Sequence, residues 1–121
     1  MTPSQETFPE RHLPLHPLEF QVLLSLMGGV RHAYDIVKDI EERQPGWSRI
    51  LPTNLYRRIW RLASAGLVEE AAVEPSPGER SRKYFALAPL GRSVAVAEAA
   101  RLRSLLREAE DAGVVPREEP A

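Results

Sequence analysis

Three prolines, Pro17, Pro52 and Pro89, each stand at the head of an apolar stripe of helical period. Proline suits the first position of a helix, where its missing N–H does no harm and its fixed φ is already helical. Behind Pro17, in HPLEFQVLLSLMGG, Leu18, Val22 and Leu26 recur at steps of four, with Leu23 and Met27 beside them. Gly28 and Gly29 then supply the backbone freedom that a helix end needs. Behind Pro52, Leu55, Ile59, Leu62 and Gly66 stack on one side of a helical wheel. Thr53, Arg57, Arg61 and Ser64 lie opposite; Asn54 and Arg58 flank one edge, and Tyr56 and Trp60 the other. Behind Pro89, as far as about Asp111, Ala95, Ala99, Leu102, Leu106 and Ala109 alternate steps of four and three, the spacing of a coiled-coil seam. Val94, Ala97 and Leu105 widen that stripe.

A further helix needs no proline. In AYDIVKDIEERQ, Ala33, Ile36, Val37 and Ile40 share one face, while Asp35, Lys38, Asp39, Glu41 and Glu42 face outward. Gln44-Pro45-Gly46 ends it. Between the third and the last helix, LVEEAAV and RKYFALA have the β-branched and aromatic content of strands. The stretch EPSPGERS between them is rich in turn formers, so the two strands make a hairpin with a protruding loop. Arg80, Arg82 and Lys83 sit at its tip and returning arm. Tyr84 and Phe85 point to opposite faces, so one of them belongs to the core.

The expected fold class is mainly α with a small β-hairpin (α+β). Three helices followed by a hairpin is the layout of a winged helix-turn-helix, here extended by a C-terminal helix for dimerisation. The boundaries read from sequence are a flexible N-terminal arm over 1–15, a winged helix-turn-helix domain over 16–88, a dimerisation helix over 89–112 and a flexible tail over 113–121.

Composition narrows the function. The 121 residues, 43% hydrophobic, suit one domain with a single modest core. The absence of cysteine excludes disulfides, thiolate metal sites and a cysteine nucleophile. No apolar run reaches the about 20 residues of a membrane span, and the first residues lack the basic start and apolar stretch of a signal peptide. The expected location is the cytoplasm. The net charge of -1 conceals an asymmetry: residues 47–92 carry 8 basic against 4 acidic side chains, and acids predominate on both flanks. Such a basic middle is a hint of an anionic partner.

In a helix-turn-helix the second helix of the pair enters the major groove, with polar side chains near its N-terminus at base edges and arginines on phosphate or guanine. Thr53, Asn54, Tyr56, Arg57 and Arg61 meet that description. Arg80, Arg82 and Lys83 on the hairpin would reach the DNA backbone or the adjacent minor groove. Tyr56 fits core filler and phosphate contact equally well. Arg58 lies nearer the core side, within reach of an acid of the second helix. Trp47 and Trp60 are large and not obviously central to the core: they suit packing between helices and hairpin, or the wall of a cleft for a small effector.

Three segments together resemble the PadR family of bacterial transcriptional regulators, from about Leu18 to Glu110. RHAYDIVKDIE is similar to the family's His-Gly-Tyr-Glu-Ile segment, with His32, Tyr34 and Ile36 matching, Asp35 for the acid and Ala33 for the glycine. LPTNLYRRIWRLASAGLVE is similar to the recognition helix Pro-Gly-Thr-Leu-Tyr with its trailing Arg-Leu and Gly-Leu, through Pro52, Leu55, Tyr56, Arg61, Leu62, Gly66 and Leu67. GERSRKYFALAPLGR is similar to the family's wing, through Gly78, Arg82, Lys83, Tyr84, Leu87 and Gly91. Thr53 and Asn54 depart from the family's Gly-Thr at groove-facing positions, so an unusual operator is expected. The resemblance implies a homodimer paired through the last helix and the N-terminal helix, double-stranded DNA as partner, repression as the common role and a flat apolar or aromatic effector in some members. The alanine-rich seam is independent support for pairing, because the small domain cannot cover the whole stripe.

Other chemistries find little support. His12 and His16 are four apart and His32 is a third histidine, but Pro14 breaks the first pair's helix and no acid cluster joins them, so no metal is expected. Ser48, Ser64 and Ser81 have no positioned base, no glycine-rich phosphate loop follows a strand, and no enzyme and no cofactor are expected. The competing reading is a winged-helix protein–protein interaction module without sequence-specific DNA binding.

Overall fold

The computed structural model describes residues 8–47, 52–73 and 83–116, with the backbone alone at residues 47, 52 and 53. Among the described residues four α-helices carry the fold: α1 (Pro17–Leu26), α2 (Ala33–Arg43), α3 (Pro52–Ser64) and α4 (Pro89–Asp111). Each of the three prolines stands at the first residue of its helix. A three-stranded antiparallel sheet completes the fold, formed by β1 (Arg31–His32), β2 (Val68–Ala71) and β3 (Tyr84–Leu87) in the order β1-β3-β2. The hairpin strands pair Val68 with Leu87 and Ala71 with Tyr84. On the other edge of β3, Arg31 pairs with Phe85 and His32 with Tyr84. The expected hairpin is therefore a sheet of three strands, because the residues just before α2 add an edge to it.

The core lies where α1, α2 and α3 meet the sheet. Val22, Leu23 and Leu26 of α1 face Ile36, Val37 and Ile40 of α2 and Leu55, Ile59 and Leu62 of α3, all buried. Phe85, fully buried, closes the core from the sheet, and its neighbour Tyr84 stays half-buried with its ring edge-on to His32 at 5.4 Å. Val94 and Ala95 join this core from α4. The C-terminal seam thus starts inside the domain itself and continues beyond it.

Histidines cap two of the helices. His16 Nδ1 accepts the Leu18 N–H at 3.1 Å, and His32 Nδ1 accepts the Asp35 N–H at 3.3 Å. With Nδ1 accepting, the imidazole of His32 turns Nε2 toward Asp35 Oδ2 at 2.9 Å, a pattern met by the Nε2–H tautomer. Among the described residues no group of three or more potential ligands gathers into a metal site.

Gly66 ends α3 in a Schellman motif: at φ 81° it donates to Ala63 O, and Leu67 N reaches back to Leu62 O at 2.9 Å. Leu62 and Leu67, at the two positions whose apolar side chains accompany such a cap, are both buried in the core. The turn delivers the chain directly into β2.

Residues 8–15, part of the expected arm, carry a short 3-10 turn over Pro9–His12 that contacts α4. Leu13 and Leu15 pack against the core, and the Leu15 N–H donates to Glu98 Oε2 at 3.0 Å. Glu98 is buried on α4, and Arg101 grips both of its carboxylate oxygens. That grip offsets the cost of a buried charge and holds Arg101 above the ordinary arginine range.

Past Arg101 the helix leaves the domain. Leu105 is 49% exposed and Leu106 50%. No helix among the described residues is long and apolar enough to cross a membrane.

Candidate nucleic-acid interface

The amphipathic pattern of α3 decides what it offers. Leu55, Ile59 and Leu62 point inward and are buried, so Asn54, Arg57 and Arg61 are turned outward. The outward side is open: the Arg61 side chain is 71% exposed. Asn54, Arg57, Arg58 and Arg61 line one groove of about 520 Å³ together with Leu18 of α1 and His16, which caps that helix. The structure therefore brings the helix arginines together with Asn54 in a single trough along α3. Thr53 stands in the first turn of the same helix, its side chain outside the described part.

Tyr56 is more than a third exposed, so it is not core filler. Trp60, one turn on, sets its ring edge-on to Phe85 at 5.5 Å and takes Lys83 Nζ over its face at 5.0 Å. Lys83 also lies 3.5 Å from Glu70 Oε1 across the hairpin. The Lys83 ammonium remains exposed on the wing side of α3, held by Trp60 and Glu70 rather than projecting freely. Arg80 and Arg82 lie outside the described residues, as does the side chain of Trp47.

Arg58 is paired, but not with α2. Its Nη1 lies 3.8 Å from Oε1 of Glu19, a buried acid of α1, and Arg61 Nη1 lies at the same distance from the same oxygen. The sequence shows which face of α3 is buried, but not that α1 packs over its edge. The sequence reading missed His16 and Leu18 at this site, and it missed Glu19. The only signal for Glu19 is a carboxylate placed within the apolar stripe of α1, beside Leu18 and Val22.

A model of the PadR-like family of transcriptional regulators matches residues 22–97. The chain belongs to that family. The match takes in α2, α3, the sheet and the start of α4, so the recognition helix and wing expected of PadR-like regulators fall within it. Solved structures agree on the fold. A PadR family regulator from Clostridium difficile superposes with a TM-score of 0.69 at 20% identity, over 83% of this chain and 100% of that one. A transcriptional regulator from Clostridium thermocellum gives 0.67 at 21% identity, over 78% and 87%. BpsR from Bordetella bronchiseptica, whose DNA binding is regulated by 6-hydroxynicotinic acid, gives 0.58 at 23% identity, over 88% and 71%. No curated protein matches the sequence. PadR-like proteins are transcriptional regulators rather than enzymes.

Proposed function

We propose that this PadR-like chain is a sequence-specific DNA-binding regulator that works in the cytoplasm as a homodimer. The observation that carries the reading is the trough of Asn54, Arg57, Arg58 and Arg61 on the open face of α3. An α-helix fits the major groove, and Arg and Asn are the side chains that pair in bidentate fashion with guanine and adenine edges. Asn54, Arg57 and Arg61 would read or clamp the groove with Thr53, and Tyr56 would meet a phosphate. Lys83, Arg80 and Arg82 on the wing would follow the backbone, where they add affinity but little sequence preference.

On this reading residues 16–88 bind DNA, residues 89–112 pair two copies, and residues 1–15 and 113–121 flank them. The exposed Leu105 and Leu106 of α4 favour a second copy, with α1 of each protomer completing the contact. Closed two-fold pairing would set two α3 helices at half-sites about 34 Å apart. The role is repression, relieved when a small apolar or aromatic effector changes the spacing of the two helices. BpsR supports an effector of that size, and Trp60 with Trp47 is the aromatic material at hand. Selection from a randomised duplex pool by the full chain tests the reading. Enrichment of a pseudo-palindrome with half-sites one turn apart is expected; a pool that stays random would leave the protein–protein module as the better reading.

A further inference from the structure

Glu19 is an acid in a place that opposes the groove's purpose. It stands in the first turn of α1, where the helix dipole favours a carboxylate, and its side chain is 6% exposed. Its Oε1 lies 3.8 Å from both Arg58 and Arg61, which sit three residues apart on α3. Arg57 makes no ion pair among the described residues. Arg61 also separates two hollows: the trough along α3, and a second of about 290 Å³ that Glu19 itself lines. The pair with Arg61 thus joins a buried carboxylate to an exposed guanidinium.

We propose that Glu19 is a positioning residue for DNA reading, which rests on the function proposed above. It holds the guanidinium groups of Arg58 and Arg61 in one pose at the trough and subtracts one charge from its basic field. A long side chain held before binding loses less freedom on binding, so a duplex that fits the pose gains. A random duplex responds mainly to the count of positive charges through counterion release, so it loses. Glu19 thereby converts a phosphate-binding surface into one that discriminates.

The test is Glu19→Gln, which keeps size and one acceptor oxygen but removes the charge. Affinity is read on the duplex that the wild-type chain recovers from a randomised pool and on a scrambled duplex of equal composition, across a salt series, alone and with Arg61→Ala. The ratio of the two affinities should fall about tenfold. The salt slope on scrambled DNA should steepen, by up to about 0.9. With Arg61→Ala present, the further loss of ratio should be less than half as large on a logarithmic scale. A folded Glu19→Gln whose ratio and slope are those of the wild type, whatever its melting temperature, would overturn the proposal and leave Glu19 merely structural. Should that variant not fold, Glu19→Asp sets the same charge one methylene back. It should lower the ratio with the slope unchanged, and an unchanged ratio would overturn the proposal equally. A wild-type chain that recovers no duplex from the pool overturns DNA reading itself, and this role with it.

Discussion

Gly91, in the first turn of α4, is pressed against the carbonyl of Leu67 so closely that a Cβ built on it would lie 1.9 Å from that oxygen. The same carbonyl accepts the Ala88 N–H at 3.0 Å, so the start of α4 is fixed to the residue that leads into β2. Backbone meets backbone there, and neither side can swing away. Gly91→Ala should destabilise the fold by at least about 2 kcal/mol, the scale of overpacking a tight contact. Urea unfolding measures it, and an unchanged midpoint would mean that α4 docks differently.

Gly66→Ala should cost about 1 kcal/mol for a different reason. There is open space around a Cβ at Gly66, but its φ of 81° is the left-handed region that alanine disfavours. The same urea series should rank Gly91→Ala well above Gly66→Ala.

Leu105→Glu with Leu106→Glu places two charges on the apolar surface that α4 carries beyond the domain. On the proposed pairing through α4, the dimer dissociation constant should rise by about thirtyfold or more, since such anchors dominate interface energy. Sedimentation velocity reads the shift to monomer. Circular dichroism should change little, because neither side chain contributes to the core.

Asp39 gives the fold a pH dependence. Burial pushes its carboxyl up, but the neighbouring Ser25 side chain, Arg43, which hydrogen-bonds it at 3.1 Å, and the charge of Arg31 outweigh that and hold it below its ordinary 3.8. A depressed carboxylate contributes stability above its unfolded value and loses it as pH falls through the folded value. Asp39→Asn should therefore melt below the wild type at neutral pH, and the two melting curves should converge as pH drops below about 3.8.

Arg57→Ala and Arg61→Ala should each weaken operator binding, by about 1–3 kcal/mol where the contact is to guanine, and relax specificity at that base. Lys83→Ala should weaken operator and random DNA alike. Equal losses on both duplexes for Arg57→Ala would place that side chain on phosphate instead.

Helix starts and faces were legible because they depend on local chemistry. A proline at the first turn and an apolar stripe behind it specify α1, α3 and α4 without reference to the rest of the chain. Leu55, Ile59 and Leu62 are buried as the wheel of α3 required, which in turn exposes Asn54, Arg57 and Arg61. What was not legible came from long-range contact. Two residues, Arg31 and His32, are too few for alternation to show, so β1 exists only because β3 lies beside it. The 3-10 turn over Pro9–His12 has no period of its own, and its place is set by a hydrogen bond from Leu15 to Glu98, 83 residues away. Glu19 and Glu98 counted as ordinary acids in the sequence, yet both are buried against arginines. The acid that meets Arg58 comes from α1 rather than α2, a choice made by helix packing and not by the face of α3.

Fluorescence anisotropy of the full chain on DNA from upstream of its own gene, beside scrambled DNA and across a salt series, decides whether the α3 trough reads sequence. Tighter binding to the upstream duplex, weakening steeply as salt rises, is the outcome that the arginines and Asn54 of α3 lead us to expect. Failure to bind either duplex even at low salt would contradict it, and would turn the same surface toward a protein partner.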